Sequence, residues 1–130
     1  EKLEAIRDWY LDNMDIEFQE LNKEKHQEEI EEFEETEAME LEETKHSSES
    51  HKLIYKDGEF VGYLELLRNS IKNIVILSYK REEGIGQKTI ETLLEDFKIL
   101  SGESLEVAKG CWKKIGATFP RGGNYFEIKK

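Results

Sequence analysis

The stretch that most constrains this chain is Ile74-Val75-Ile76-Leu77, followed by Arg81-Glu82-Glu83-Gly84-Ile85-Gly86. A short apolar run reads as a buried strand. The glycines let the backbone turn sharply and approach a ligand closely. From about Gly84 to Leu100 the apolar residues then recur at helical spacing. Ile85, Thr89, Leu93 and Phe97 lie along one face, flanked by Ile90, Leu94 and Leu100. The first N–H groups of such a helix have no internal partner. Together with the helix dipole they favour a phosphate, and Arg81 can add a charge-assisted bond or fix the loop. On its own, a Gly-x-Gly turn is equally an ordinary tight connection. It is no dinucleotide fingerprint, because position 89 is threonine, and no P-loop, because no Gly-Lys-Ser/Thr follows.

Composition breaks near residue 50. The first part has no glycine or proline, and ten of the sixteen residues from Glu28 to Glu43 are glutamate. The second part holds all nine glycines, the single proline and most of the strand-like sequence. We read one domain over 1–130, with an acidic helical part (1–50) and a ligand-binding core (51–130). Leu3, Ile6 and Tyr10, with Trp9 beside them, predict an amphipathic helix over about 2–13 whose apolar side serves the core or a dimer contact. Ile16 and Phe18 alternate with polar residues as in a short strand. Asn22 is placed to cap a second helix running to about Lys45, with a narrow stripe of Ile30, Phe33, Ala38 and Leu41. Ser47–Ser50 reads as a loop. His51–Lys56 and Glu59–Leu67 read as strands joined by Asp57-Gly58, a two-residue hairpin signal. Asn69-Ser70 turns into a third, more buried strand over Asn73–Ser78. Ser101-Gly102 stops the long helix, and a short helix over Val107–Lys114 ends at Gly116. Phe119 and Tyr125–Ile128 suggest a closing strand pair. The order is α-β-α-βββ-α-(β)-α-ββ, a mixed α/β domain.

Thirty acidic against nineteen basic residues give a formal charge of -11. That repels nucleic acid and anionic membrane surfaces and favours cationic partners. Cys111 is the only cysteine, which excludes an internal disulfide and fits a reducing cytoplasm; we expect it to be a small buried residue. No apolar run reaches signal-peptide or membrane-span length. His26, His46 and His51 lack ligand spacing, so they read as surface histidines and no metal site is expected. Glu65 belongs either to a solvated strand face or, if buried, to the general bases. The glutamate run is either a solvated helix face or an acidic wall that concentrates a cation.

In this setting the chain resembles the GNAT N-acetyltransferase superfamily, over about residues 51–128 and more loosely 15–45. Arg81, Gly84 and Gly86 match its Arg/Gln-x-x-Gly-x-Gly/Ala pyrophosphate signature. Asp57-Gly58-Glu59-Phe60-Val61-Gly62-Tyr63-Leu64 looks like the hairpin that precedes the signature. Ala108-Lys109-Gly110-Cys111-Trp112-Lys113-Lys114-Ile115-Gly116-Ala117 is similar to the late helix, which usually ends in Lys-x-Gly-Phe. The resemblance implies a central, mostly antiparallel twisted sheet with splayed middle strands, flanked by helices. It implies acetyl-CoA as co-substrate between those strands. Backbone groups of Ile76, Leu77 and Ser78 would pair with the pantetheine arm. The amides of Glu82, Glu83, Gly84, Ile85, Gly86 and Gln87 would hold the pyrophosphate. A backbone N–H near Leu77 would polarise the acyl carbonyl while an amine attacks directly.

Four positions depart from the family pattern. Trp112 stands where the family usually has the tyrosine that protonates the departing thiolate. An indole N–H donates a hydrogen bond but is no acid, so Trp112 is expected to pack in the core or against the cofactor. Leu105 replaces an asparagine just before that helix. Glu82-Glu83 replace glycine and a basic residue, which weakens the hold on an anion. Tyr125 or solvent then remains as proton donor, and Glu65 as the candidate base. The expected function is an acetyl-CoA-dependent N-acetyltransferase acting on a cationic amine, either a polyamine-like molecule or a protein amino group. The alternatives are a non-catalytic acyl-CoA-binding or interaction module, and an acidic scaffold or inhibitor that binds a basic partner.

Overall fold

A computed structural model describes residues 13–41, 50–81 and 83–130. The helix expected over 2–13 lies almost wholly outside the described residues, as do His46, Glu82 and most of the Ser47–Ser50 loop. The elements are β1 (Ile16–Glu20), α1 (Gln27–Glu37), β2 (Ser50–Lys56), β3 (Glu59–Leu67), β4 (Ser70–Ile76), α2 (Ile85–Phe97), β5 (Ile99–Glu103), α3 (Lys109–Lys114) and β6 (Tyr125–Lys129). Short 3-10 turns cover Ser78–Lys80 and Glu106–Ala108. The strands form one six-stranded sheet in sequence order. Every neighbouring pair is antiparallel except β4 and β5.

Local chemistry explains the most regular part. Asp57 and Gly58 take φ of 49° and 85°, the doubly left-handed turn whose twist matches paired strands. The Asp57 N–H donates to the Asp15 carbonyl at 2.8 Å, so the hairpin tip also anchors the start of β1. β3 is buried from Phe60 to Leu66, as befits a central strand covered on both faces. One face packs against α2, where Ile85, Ile90, Leu93 and Leu94 meet Leu64, Leu66, Ile71, Leu100 and Phe126. The other packs against α1, where Phe33 joins Leu53, Tyr55, Phe60, Tyr63 and Leu77. Phe33 meets Tyr63 edge-on, with ring centroids 5.8 Å apart.

Several expected boundaries move. Asn22 does cap a turn, its Oδ1 accepting from the Glu24 and Lys25 N–H groups. α1 proper begins later, at Gln27, and ends at Glu37 because Ala38 turns left-handed at φ 54°. β4 begins at Ser70, three residues before the expected start, and the turn is Arg68-Asn69. The long helix stops at Phe97 instead of Leu100, with Lys98 at φ 65°. Ile99 to Glu103 then form β5, so Ser101-Gly102 is strand, not a helix stop. Asn69 is the pin: its side-chain amide donates to the Ile99 carbonyl at 3.1 Å, and its carbonyl accepts the Ser101 N–H at 3.0 Å.

Gly102 sits where no side chain fits. A Cβ there would stand 2.7 Å from Phe126 Cζ and 3.1 Å from the Ile71 carbonyl oxygen. Gly102→Val should therefore cost about 1–3 kcal/mol of stability, as overpacking does. Urea denaturation measures this, and an unchanged midpoint would mean that the Phe126 ring swings aside freely.

Candidate functional site

The parallel contact between β4 and β5 is only two residues long, Ser70 with Ser101 and Ile71 with Gly102. Past it the strands part, and a cleft of about 350 Å³ opens. Asn73 and Ile74 line it from β4, Glu103 and Leu105 from β5 and beyond, Ala108 and Trp112 from the α3 side, and Phe126 from β6. Trp112 stacks on Phe126 with ring centroids 4.3 Å apart and planes at 24°. The cleft thus has an apolar wall of two aromatic rings beside an open strand edge. Leu105, which replaces the family's asparagine, is 74% exposed at its rim.

Strand geometry decides which backbone groups face this gap. The Leu77 N–H donates to the Val61 carbonyl at 2.9 Å. Antiparallel pairs alternate between bonded and non-bonded positions. With Tyr63 opposite Val75 and Leu64 opposite Ile74, the groups of Ile74 and Ile76 turn away from β3, toward the gap. Of the three expected contacts, Ile76 is therefore well placed. Leu77 is a correction: its amide is used on β3 and its side chain is fully buried, so it cannot polarise a carbonyl in the cleft. Ser78 is also engaged, its N–H and hydroxyl donating to Glu37 Oε2 at 3.0 and 2.6 Å. Asn73 and Ile74 lie within the expected strand but were missed as site residues, because the short contact with β5 that puts them at the gap has no sequence signal.

The cradle forms at the start of α2. Gly84 precedes it in the left-handed region at φ 81°, and no side chain caps the helix. The Ile85 and Gly86 amides open the first turn, with Gln87 next in it. A Cβ built on Gly86 meets nothing within 4 Å, so the helix surface beside Gly86 is open. Arg81 is placed differently from a free phosphate ligand. Its Nε donates to the Ile76 carbonyl at 2.9 Å and its guanidinium to Glu37 Oε1 at 2.6 Å; it fixes the loop. Glu83 turns to β2, where Lys56 Nζ lies 3.3 Å away.

The acidic helix α1 is neither a plain solvated face nor an open acidic wall. Glu29 accepts from the Tyr55 hydroxyl, Glu32 from the Tyr79 hydroxyl, and Glu37 from Ser78 and Arg81. Its single fully buried residue is Phe33, so these carboxylates hold it over β2 and the β4–α2 loop. No sequence signal separates Glu37 from the other glutamates. Burial and Glu29 push the Tyr55 hydroxyl pKa upward.

Among the acid–base candidates, Glu65 is completely buried, accepting from the Tyr63 hydroxyl at 2.7 Å. Tyr125 is half-buried beneath the Arg121 guanidinium, 5.4 Å from its ring centroid. Phe126 lines the cleft, so strand alternation turns Tyr125 to the opposite face. Three further expectations are corrected. Cys111 is exposed, because α3 is one and a half turns long and buries none of its residues. His26 is buried, its Nδ1 accepting from the Asn22 N–H at 3.0 Å and its Nε2 3.0 Å from Gln19 Oε1. His51 is half-buried and bonded to Tyr63. Among the described residues, no group of three His, Cys, Asp or Glu side chains could hold a metal, and no helix is long and apolar enough to cross a membrane.

No family model matches the sequence, and no curated protein sequence matches it. Solved structures do. The presumed N-acetyl transferase YhhK of E. coli, solved in solution bound to coenzyme A, superposes with a TM-score of 0.65 at 10% identity, over 91% of this chain and 99% of its own. An acetyltransferase from Thermus thermophilus gives 0.61 at 13% identity, over 88% and 96%. A GNAT-family acetyltransferase from Staphylococcus aureus gives 0.56 at 15% identity, over 88% and 99%. The chain has the GNAT acetyltransferase fold, mixed α/β with a six-stranded sheet flanked by helices.

The α1 latch has a measurable signature. The bond to Glu32 raises the Tyr79 pKa to about 12. A raised pKa means that this contact stabilises the fold fully below the usual tyrosine value of about 10. The contribution is lost as pH rises through about 12. A phenolate absorbance titration should resolve one tyrosine near that value, and Glu32→Gln should move it downward. Identical curves for the two proteins would detach Tyr79 from α1.

Proposed function

We propose that this chain is an acetyl-CoA-dependent N-acetyltransferase acting on a cationic amine. The observation that carries the reading is the two-residue contact between β4 and β5. It leaves a strand edge open along a cleft beside the uncapped start of α2. Coenzyme A bound to a protein of the same fold supports the same class of ligand here. The residues present fit it. Ile74 and Ile76 offer backbone groups to an extended amide-bearing arm. Trp112 and Phe126 offer an apolar wall. The Ile85 and Gly86 amides offer donors for a pyrophosphate beside open helix surface. Acetyl-CoA would supply an activated thioester; the chain would orient it and exclude water. The formal charge of -11 favours a cationic acceptor, either a polyamine-like molecule or a protein amino group.

A second reading, a binding module without turnover, is favoured by Trp112. Its indole stacks on Phe126 where the family pattern puts an acid.

Gly86→Leu separates fold from function. A Cβ there meets nothing within 4 Å, and glycine is less favourable in a helix interior than alanine by about 0.8–1 kcal/mol, with leucine close to alanine. The variant should fold at least as stably as wild type. By calorimetry it should lose acetyl-CoA affinity by tenfold or more, about 1.4 kcal/mol. Equal affinities would remove the cradle. Thiol release across an amine panel then separates the two readings: binding without release in any amine supports the module.

A further inference from the structure

Packing does not account for Lys72. It is the one residue of β4 with no register partner in either neighbouring strand. On the β3 side, Leu66 faces Ile71 and Glu65 faces Asn73, so the register skips Lys72. On the β5 side, pairing ends at Ile71 with Gly102. A bulge of this kind re-aims a side chain out of the regular alternation, and bulges recur beside active sites. Lys72 is exposed and lines the cleft. Among the described residues it is the cleft's only cation, Glu103 is the only anion, and no carboxylate pairs with Lys72.

The cleft also has a direction. The cradle at Ile85 and Gly86 follows the C-terminal end of β4, whereas the contact with β5 lies at its N-terminal end. A cofactor held by its pyrophosphate at the cradle, with its arm along Ile76 and Ile74, carries its thioester toward Asn73 and Lys72. From Lys72 to Ile74 is two residues, about 7 Å along a strand. A lysine ammonium on its flexible four-carbon stem spans such a distance. Lys72 thus brings an amine to the end of the cleft where an acceptor amine would meet the acyl carbon. Among the described residues no other lysine lines this cleft.

We propose that Lys72 is a self-acetylation site: with acetyl-CoA bound in the cleft, Lys72 Nζ of the same chain takes the acetyl group. The proposal rests on the acetyl-transfer reading. The exposed ammonium first loses one proton to water. The neutral amine then attacks the thioester carbonyl, a C–N bond forms, and the C–S bond breaks. The nitrogen gives a second proton to the departing sulfur. The products are an acetyl amide on Lys72 Nζ and coenzyme A with a free thiol, and no further reactant is consumed. The advantage over other lysines is positional, because a bound donor and a tethered amine react as one molecule. The modification removes the positive charge of Lys72 and leaves Glu103 as the charged group among the described lining residues.

The test incubates the full chain with acetyl-CoA and no added amine, and maps acetyl groups by peptide mass spectrometry. Lys72 should be acetylated about tenfold faster than any other lysine, or more, as positioning predicts. The rate per chain should not change when the protein is diluted. Acetyl phosphate, which lacks the cofactor arm, should label lysines without favouring Lys72. Gly86→Leu should remove the preference for Lys72. Lys72→Arg, which keeps the charge but not the nucleophile, should leave only the slow labelling of other lysines. Calorimetry with acetyl-CoA on the same protein separates the failures. Acetyl-CoA bound while Lys72 is labelled no faster than the rest overturns self-acetylation and leaves acetyl transfer standing. An equal preference for Lys72 with acetyl phosphate overturns it as well, because intrinsic reactivity would then suffice. A rate per chain that falls on dilution overturns transfer within one chain. No binding of acetyl-CoA overturns both readings.

Discussion

The close approach of Gly102 to Ile71 and Phe126 is the contact on which the site depends. It lets β5 reach β4 for two residues while Phe126 fills the space a side chain would need. Asn69 brings the strands together from the turn before β4. Beyond Gly102, the Ser104 N–H goes to the Asn124 carbonyl at 2.8 Å, which draws the chain toward β6 and away from β4. The gap is therefore a consequence of competing backbone partners. Backbone donors and acceptors left on the open side of β4 have to find partners elsewhere. In this chain Arg81 meets one of them, the Ile76 carbonyl, and the proposed cofactor arm would meet others.

α1 shows how an acidic helix can be structural. A helix with one fully buried residue gains little from apolar burial. Its carboxylates compensate by accepting from tyrosine hydroxyls and from the loop that shapes the cradle. The same contacts reset the chemistry of that loop. Glu37, with its side chain only 5% exposed, satisfies the Ser78 amide and the Arg81 guanidinium. The arginine in the phosphate-binding signature then acts as a brace between β4 and α1. In the proposed reading, phosphate recognition would fall chiefly to the backbone at Ile85 and Gly86.

What the residues revealed in advance followed from how local each determinant is. Asp57-Gly58 fixes its own turn, so the β2–β3 hairpin was legible, and the period of Ile85, Thr89 and Leu93 fixes the inner face of α2. A strand after the long helix was anticipated, but its bounds were not legible, because Leu100 continues the helical period and glycine is a weak strand former. Its strand state is imposed by Asn69, thirty residues away, and by β6. The cradle's glycines were legible because glycine there answers a local backbone demand. Glu37 was not, because its contacts to Ser78 and Arg81 arise only when α1 meets the β4–α2 loop. Glu65 was visible as a candidate, but its burial was not, since one charged residue in a strand gives no sign of which face is covered.

The charge distribution separates the two ligands of the proposed reaction. The chain carries -11, and three cations near the β4–α2 loop are paired, Arg81 to Glu37, Lys56 to Glu83 and Lys80 to Glu59, while Lys72 of β4 lines the cleft. In the proposed reaction an anionic cofactor would therefore approach against the overall field and be held at contact range by helix amides. Those amides act over a few ångströms, whereas the repulsion acts over a screening length of about 10 Å at 0.1 M salt. Added salt thus relieves the repulsion more than it weakens the hold, the reverse of a site in which lysine and arginine neutralise phosphates. The same field that opposes the cofactor attracts a cationic amine. A local backbone cradle within an acidic surface can therefore serve two ligands of opposite charge without a separate basic patch for either.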